Sequence, residues 1–336
     1  MNNFENPITQ IEKEPRVLDF KRFEDMLTPA LGLFGTCGDS SWRSEYFIPK
    51  LKAKGLAFFN PQVEEWDPSL AAEEVKHLSR DKVIALPISK ETEGYASLAE
   101  SGWAILSAIL RGQKIGVYIE EDEEMGEEAK RARMLVRKLA EKIAGDYPVF
   151  SFEESFEDLS SWTIFQLIEF DRLKKSLIKE TRTVELPNVE GELKENVGIY
   201  GTSAGNPVWR KQLMEKLDDA GVDFFDSYKE DWNEADAEIE AEHKISDKVI
   251  VQVISADSES YGALAESGWM ALSAFMKGQK LILMIEDHES DAKSSTNRAR
   301  TLVRGHIGKL NEDFPGLVTI VDSIDKVAEE VIKATK

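Results

Sequence analysis

The chain contains two copies of one sequence. Residues 56–120 align with residues 222–286 at a constant offset of 166, and about 29 of the 65 aligned positions are identical. Unrelated sequences do not reach this level, so we interpret the chain as a tandem duplication. A period of this length is too long for a solenoid unit, and each copy has the size of a domain. The sequence therefore predicts two domains of the same architecture.

The segments outside the repeat define the domain boundaries. We assign residues 31–170 to the first copy and residues 197–336 to the second. Residues 171–196 between them are polar and rich in charge, which is typical of a linker. Residues 1–30 form an N-terminal arm without a counterpart in the second copy. The sequence leaves open whether this arm packs on the first domain or is a mobile tail.

Each copy alternates short apolar runs with longer helical patterns. The runs lie near residues 31–36, 56–59, 82–88, 115–119 and 148–151, and again near 197–202, 222–225, 248–254, 280–285 and 317–321. Strands that alternate with helices predict a parallel sheet covered on both faces. The predicted fold class is α/β, with two flavodoxin-like doubly wound domains that each contain a five-stranded parallel sheet. Ligands of such sheets bind outside the carboxyl ends of the strands, where the strand order reverses.

Composition limits the partners of the chain. The sequence has 63 acidic residues and 42 Lys and Arg, a formal net charge of −21 that repels nucleic acid and anionic membranes. Cys37 is the only cysteine and excludes an internal disulfide, and no apolar run is long enough to span a bilayer. The N-terminal residues lack the pattern of a secretory signal. We therefore expect a cytoplasmic protein that binds neither nucleic acid nor membrane.

A loop of small residues follows the first strand of each copy, at residues 35–43 and 201–210. Backbone N–H groups that open a helix suit an anion or a sugar hydroxyl, and an arginine there can clamp a phosphate or a carboxylate. The candidate binding residues are Gly35, Thr36, Arg43, Gly201, Thr202 and Arg210. The alternative is that these residues only form the turn and cap the helix, with the arginine ion-paired on the surface.

A single carboxylate lies in the apolar helix after the third strand. Glu100 is the only acidic residue between positions 94 and 110, and Glu266 is the only charged residue between positions 260 and 276. Because burial of an unpaired carboxylate is costly, such a group is either compensated or used. One interpretation is a first-turn glutamate that complements the helix dipole. The other is a nucleophile that attacks an anomeric carbon and forms a glycosyl-enzyme intermediate.

Four short motifs follow one another along the first copy. They are FGTCGDSSWR, FFNPQVEEW, DKVIALPIS after an acidic helix, and TEGYASLAE. Together they resemble the nucleoside 2-deoxyribosyltransferase-like family, and the resemblance extends over both copies. It implies that the protein exchanges the base of a 2-deoxynucleoside through a covalent deoxyribosyl-Glu intermediate, without a metal or an organic cofactor. Related branches hydrolyse deoxynucleoside monophosphates by passing the same intermediate to water.

The resemblance also implies roles for individual acids. The nucleophile falls on Glu100 and Glu266. The acid that contacts the nucleobase falls on Glu74 and Glu240, with Glu73 as an alternative register in the first copy. A carboxyl group at this place can protonate the departing base as a general acid.

Two further roles have less direct counterparts. For the acid that binds sugar hydroxyls, the nearest candidates are Glu93 and Glu259. The family's tyrosine near the end of the first strand is absent from LGLFG in the first copy, and Tyr95 and Tyr261 are candidate substitutes. The second copy reads FFDSYK in place of FFNPQV and SES in place of TEG. If one copy is active, we expect it to be the first.

Other repeated residues have weaker functional signals. His77 and His243 match between the copies, and a lone helical histidine without a second metal ligand is more often structural than catalytic. Trp66 and Trp232 are candidates either for stacking on a base or for closing the edge of the core.

Several predictions stay open at this level. The duplication suggests an intrachain pseudo-dimer, and further assembly into a homo-oligomer stays open. The alternative functions are an NAD or other nucleotide glycohydrolase and a non-catalytic nucleotide-binding sensor module.

Overall fold

In a computed structural model, the chain contains two five-stranded parallel sheets. The structure describes residues 17–19, 27–121, 124–144, 149–175, 183–185, 193–203, 207–230, 234–291 and 294–336. The strands are β1 (Val17–Asp19), β2 (Thr28–Leu33), β3 (Phe58–Phe59), β4 (Asp81–Ile88), β5 (Lys114–Ile119), β6 (Phe150–Phe152), β7 (Thr183–Glu185), β8 (Lys194–Gly201), β9 (Phe224–Asp226), β10 (Asp247–Ile254), β11 (Lys280–Ile285) and β12 (Thr319–Val321). The helices are α1 (Ile48–Ala53), α2 (Ala71–Arg80), α3 (Tyr95–Arg111), α4 (Glu127–Ala144), α5 (Phe156–Lys175), α6 (Val208–Asp219), α7 (Glu234–Ser246), α8 (Tyr261–Lys277), α9 (Ser295–Asp313) and α10 (Ile324–Thr335).

Both sheets have the strand order of a flavodoxin-like domain. The first sheet runs β3-β2-β4-β5-β6 and the second runs β9-β8-β10-β11-β12, with every pairing parallel. The order reverses between the first and third strands of each domain, which is the 2-1-3-4-5 topology. The predicted fold class is confirmed.

The central strands are buried on both faces. All eight residues of β4 are buried, as expected for a parallel sheet that is covered by helices on each side. The edge strands β3 and β12 contain two and three residues. The first strand of the first sheet, β2, begins at Thr28, and α5 extends to Lys175. The regular elements of the first domain therefore extend slightly beyond residues 31–170.

The N-terminal arm contacts the linker. Strand β1 in the arm pairs antiparallel with β7 in the linker, with Val17 opposite Glu185. Among the described helices, none is both long and apolar enough to cross a membrane.

The two domains pack through the helices that carry the repeated glutamates. Trp103 of α3 donates from Nε1 to Ser267 of α8 at 2.9 Å, and Trp269 of α8 donates to Ser101 of α3 at 3.2 Å. This reciprocity is typical of an interface with two-fold symmetry. The buried apolar side chains of both domains meet there in one continuous core. The site residues of one domain therefore lie close to the other domain.

Candidate functional site

A cavity of about 310 Å³ lies at the carboxyl ends of β2 and β4 in the first domain. This is the position at which the strand order reverses, where flavodoxin-like domains bind their ligands. Six residues predicted from the sequence line it: Gly35, Thr36, Glu74, Glu93, Tyr95 and Glu100. Ser295 and Arg298 of α9, from the second domain, also line it. The cavity is therefore built by both halves of the duplication.

The loop after β2 is tied to the loop after β4. Thr36 and Ser89 are joined at 2.8 Å through their hydroxyl groups, and Thr36 Oγ1 also accepts from the backbone N–H of Ser89 at 3.0 Å. Gly35 has a φ of 104°, and a Cβ there would overlap the carbonyl oxygen of Pro87. The glycine therefore allows the two strand ends to approach closely at the cavity wall.

Arg43 and Arg210 do not occupy the positions expected for anion clamps. Arg43 is 1% exposed, and its guanidinium donates to the carbonyl groups of Leu33, Gly35 and Thr36. Arg210 is 2% exposed and is paired with Asp226 and with carbonyl groups of its own loop. The alternative of an arginine ion-paired on the surface does not describe Arg43, and Arg210 has its ion pair with Asp226 at a buried position. Both arginines donate to carbonyl groups at the end of the first strand and in the loop that follows it.

A second pair of arginines, Arg133 and Arg300, also holds loops near the carboxyl ends of the strands and was not identified from the sequence. Arg133 of α4 donates to the carbonyl groups of Ser89 and Thr92 at 2.7 and 2.6 Å, and Arg300 of α9 holds the corresponding loop through Ser255 and Ser258. These bonds fix the loop that leads into each glutamate-bearing helix. The signal was the repeated RAR triplet, at residues 131–133 and 298–300.

Glu100 is buried and has a partner from the other domain. It is 4% exposed, and its Oε1 lies 2.9 Å from Nε2 of His306, which is itself 3% exposed. Because α3 begins at Tyr95, Glu100 lies beyond the first turn, and the helix-dipole interpretation does not describe it. His306 was not singled out from the sequence.

Glu74 lines the same cavity and has a raised pKa. It is 4% exposed, accepts a hydrogen bond from Trp66 Nε1 at 2.7 Å and lies 3.8 Å from Arg298. Burial, and then the nearby charge of Glu100, raise the pKa of Glu74 to about 7 against the opposing effects of Arg298 and Trp66. Glu74 therefore keeps a substantial protonated fraction near pH 7, where an ordinary glutamate is ionised. The alternative register residue, Glu73, is exposed and paired with Lys76.

This raised pKa predicts a pH-dependent stability difference. The folded protein keeps the Glu74 proton at pH values where the unfolded chain has lost it, so the protonated group stabilises the fold at low pH and this stabilisation is lost as the pH rises toward about 7. In Glu74→Gln this dependence is absent. The variant should gain about 2–3 kcal/mol relative to the wild type between pH 5 and pH 8, measured by urea unfolding. Asp81, whose pKa burial raises to about 6, is common to both proteins and cancels. An equal difference at both pH values would contradict the buried, protonated Glu74.

The corresponding acids of the second domain are paired with a lysine. Lys244 lies 2.7 Å from Glu240 and 3.4 Å from Glu266. Burial alone would lower the pKa of Lys244, but the two carboxylates raise it above its ordinary value. The aligned residue in the first domain is Leu78, which carries no charge.

The loops of the second domain are only partly described. Thr202 Oγ1 accepts from the backbone of Ser255 at 3.0 Å, and Gly201 has a φ of 126°, as in the first domain. Residues 204–206 and Trp232 lie outside the described residues. Glu259 is exposed, and its carbonyl group accepts from Arg300 at 3.1 Å.

The aromatic candidates have other contacts. Tyr95 and Tyr261 stack on each other between the domains, with ring centroids 3.5 Å apart, and Tyr261 bonds Ser295 at 2.7 Å. Tyr200, which sequence reasoning did not consider, ends the first strand of the second domain, and its buried hydroxyl has no hydrogen-bond partner in the described part of the chain. The aligned residue in the first domain is Phe34.

The repeated histidines lie away from the cavity, at the amino ends of the sheets. His77 is 3.0 Å from Asp81 and stacks on Phe59, and His243 makes the same contacts with Asp247 and Phe225. These pairs tie a helix end to the start of a strand, and they support the structural interpretation.

Comparisons with known proteins assign no family. The chain matches no protein-family model, and no curated protein matches it significantly. Within the described residues, no group of three His, Cys, Asp or Glu side chains is arranged to hold a metal ion.

Proposed function

We propose that the protein is a nucleoside 2-deoxyribosyltransferase-like enzyme that transfers or hydrolyses the N-glycosidic bond of 2-deoxynucleosides or their monophosphates. The observation that supports this best is the presence of two buried acids on one cavity, since Glu100 has an imidazole partner and the pKa of Glu74 is raised to about 7. Two carboxyl groups in different states of protonation are what a double-displacement glycosidase requires.

The proposed reaction has two balanced steps. In the first, a carboxylate oxygen of Glu100 attacks C1′ of the sugar, the bond from C1′ to the base nitrogen breaks, and its electron pair stays on the base, which takes the proton of Glu74. In the second, Glu74 takes a proton back from water or from a second base. That nucleophile attacks C1′ and releases Glu100. The stereochemistry at C1′ is retained.

The test uses deoxynucleosides with a second free base, followed by separation of the products. A swapped base indicates transfer, and free base with free sugar indicates hydrolysis; either supports the proposal. Methanol added as an acceptor should give the methyl 2-deoxyriboside with retained configuration. Thermal stabilisation by nucleosides without any turnover would contradict the proposal and favour a binding module.

The proposed role of Glu74 predicts a specific pH profile. Because the acid must be protonated, kcat should fall as the pH rises through about 7, the value to which the Glu74 pKa is raised. Glu74→Gln should lower kcat by about 100-fold or more on a neutral deoxynucleoside. The same variant should retain most of its rate on a 7-methylpurine deoxynucleoside, whose base leaves without being protonated. Equal losses on both substrates would contradict general acid catalysis by Glu74.

A further inference from the structure

His306 belongs to one domain and contacts the proposed nucleophile of the other. Its Nε2 lies 2.9 Å from Oε1 of Glu100, and both side chains are almost fully buried. His306 lies on α9, which packs against α3 across the domain interface. A hydrogen bond from Nε2 to Oε1 fixes the plane of the carboxylate and leaves the lone pairs of the other oxygen for attack.

The first domain supplies no side-chain donor to Glu100 from the end of its first strand. Phe34 occupies that position, where the second domain has Tyr200. A phenylalanine ring cannot hydrogen-bond a carboxylate, so orientation of Glu100 requires a donor from elsewhere. His306 is such a donor.

The described residues of the second domain lack the same arrangement. The RAR triplets align α4 with α9 at an offset of 167, which matches His306 with Leu139. A leucine offers no donor to Glu266, and that carboxylate is paired with Lys244 instead. The lysine also pairs with Glu240, so both acids of the second domain share one cation.

We propose that His306 of the second domain is the positioning residue of Glu100, so that the chain holds one complete active site built across its two domains. This inference rests on the proposed glycosyl-Glu mechanism. The second domain contributes to catalysis by completing the first site, and its own glutamate forms no intermediate. His306 acts through Glu100 and does not contact the sugar.

Two variants of His306 test this role. Because His306→Leu places the residue of the second site opposite Glu100, we expect a fall in kcat of about 100-fold with KM changed less than about threefold. His306→Gln keeps an N–H donor near the position of Nε2 and should restore at least about one-tenth of the wild-type kcat. Leu139→Ala, at the matched position, should leave kcat within about twofold of the wild type.

Rescue by glutamine separates positioning from packing, since leucine fills the space as well as glutamine does. A wild-type kcat in His306→Leu overturns the inference. Failure of glutamine to restore activity in a protein that melts like the wild type also overturns it, because packing would then explain the loss.

A covalent probe counts the active sites. A 2′-deoxy-2′-fluoroarabino nucleoside slows breakdown of the glycosyl ester, and mass spectrometry then locates the adduct. We expect one adduct per chain, on the peptide that contains Glu100, and slower labelling in His306→Leu. Adducts on both Glu100 and Glu266 would overturn the single-site inference alone. A wild-type protein that neither turns over nucleosides nor forms an adduct would overturn the proposed function and this inference with it.

Discussion

Replacing Glu100 with glutamine should lower kcat by at least about 1,000-fold without unfolding the protein, because the covalent step is lost. Glutamine has nearly the same shape, and its carbonyl oxygen can still accept the hydrogen bond from His306. It is neutral, so it cannot attack C1′ as a carboxylate does. The measurement is release of base from a deoxynucleoside, with circular dichroism to verify the fold.

The second domain offers a matched control for this variant. Glu266 is the repeat counterpart of Glu100, but it is paired with Lys244, so Glu266→Gln should keep kcat within about twofold of the wild type. A Glu100→Gln protein with full activity would exclude Glu100 as the nucleophile. Full activity in the variant that carries both substitutions would remove the glycosyl-Glu mechanism altogether.

The sequence predicted the sheets because their signal is local. After an initial Asp-Lys pair, β4 is apolar throughout and β10 is apolar except for Gln252, and this pattern lies between helical patterns in both copies. The edge strands β3 and β12 have a weaker sequence signal, because they contain only two and three residues and their pairing depends on the adjacent strand. The arm and linker gave no signal, because the β1 and β7 segments are only three residues long.

Only the half of the candidate site that belongs to the first domain was predicted. Thr36, Glu74 and Glu100 follow strands or lie on helices that the repeat identifies, so their convergence at one sheet edge follows from the topology. Arg298 reaches the cavity and His306 reaches Glu100 through the packing of two domains, roughly two hundred residues along the chain. The offset of the repeat changes from 166 to 167 before α9, which also hides the pairing of His306 with Leu139.

The misplaced arginines have a common physical cause. A sequence shows that Arg43 carries a charge near a loop of small residues, and a ligand is one way to use that charge. It does not show how many carbonyl groups of the folded loop point inward. Such carbonyl groups accept hydrogen bonds, and a guanidinium has five N–H donors. Arg43 uses its donors on carbonyl groups of Leu33, Gly35 and Thr36 instead of on a ligand.

The interface between α3 and α8 depends on two glycines. A Cβ at Gly102 would overlap the backbone of Gly268 and Trp269, and a Cβ at Gly268 would overlap the backbone of Gly102 and Trp103. Glycine inside a helix costs about 0.5–1 kcal/mol relative to alanine, and the chain bears this cost twice at equivalent positions. The close approach of the helices explains both, since it permits the bonds from Trp103 to Ser267 and from Trp269 to Ser101.

Gly102→Ala should therefore destabilise the protein by about 3 kcal/mol, because backbone atoms cannot move aside and the helices must separate. Gly308→Ala is the matched control: it lies inside α9, a Cβ there meets nothing within 4 Å, and it should stabilise by about 0.5–1 kcal/mol. Urea unfolding measures both. Since Gly102 is two residues from Glu100 and α9 rests on the same helix, Gly102→Ala should also lower kcat at temperatures where it is folded. A Gly102→Ala protein as stable as Gly308→Ala would contradict the close helix contact on which the shared site depends.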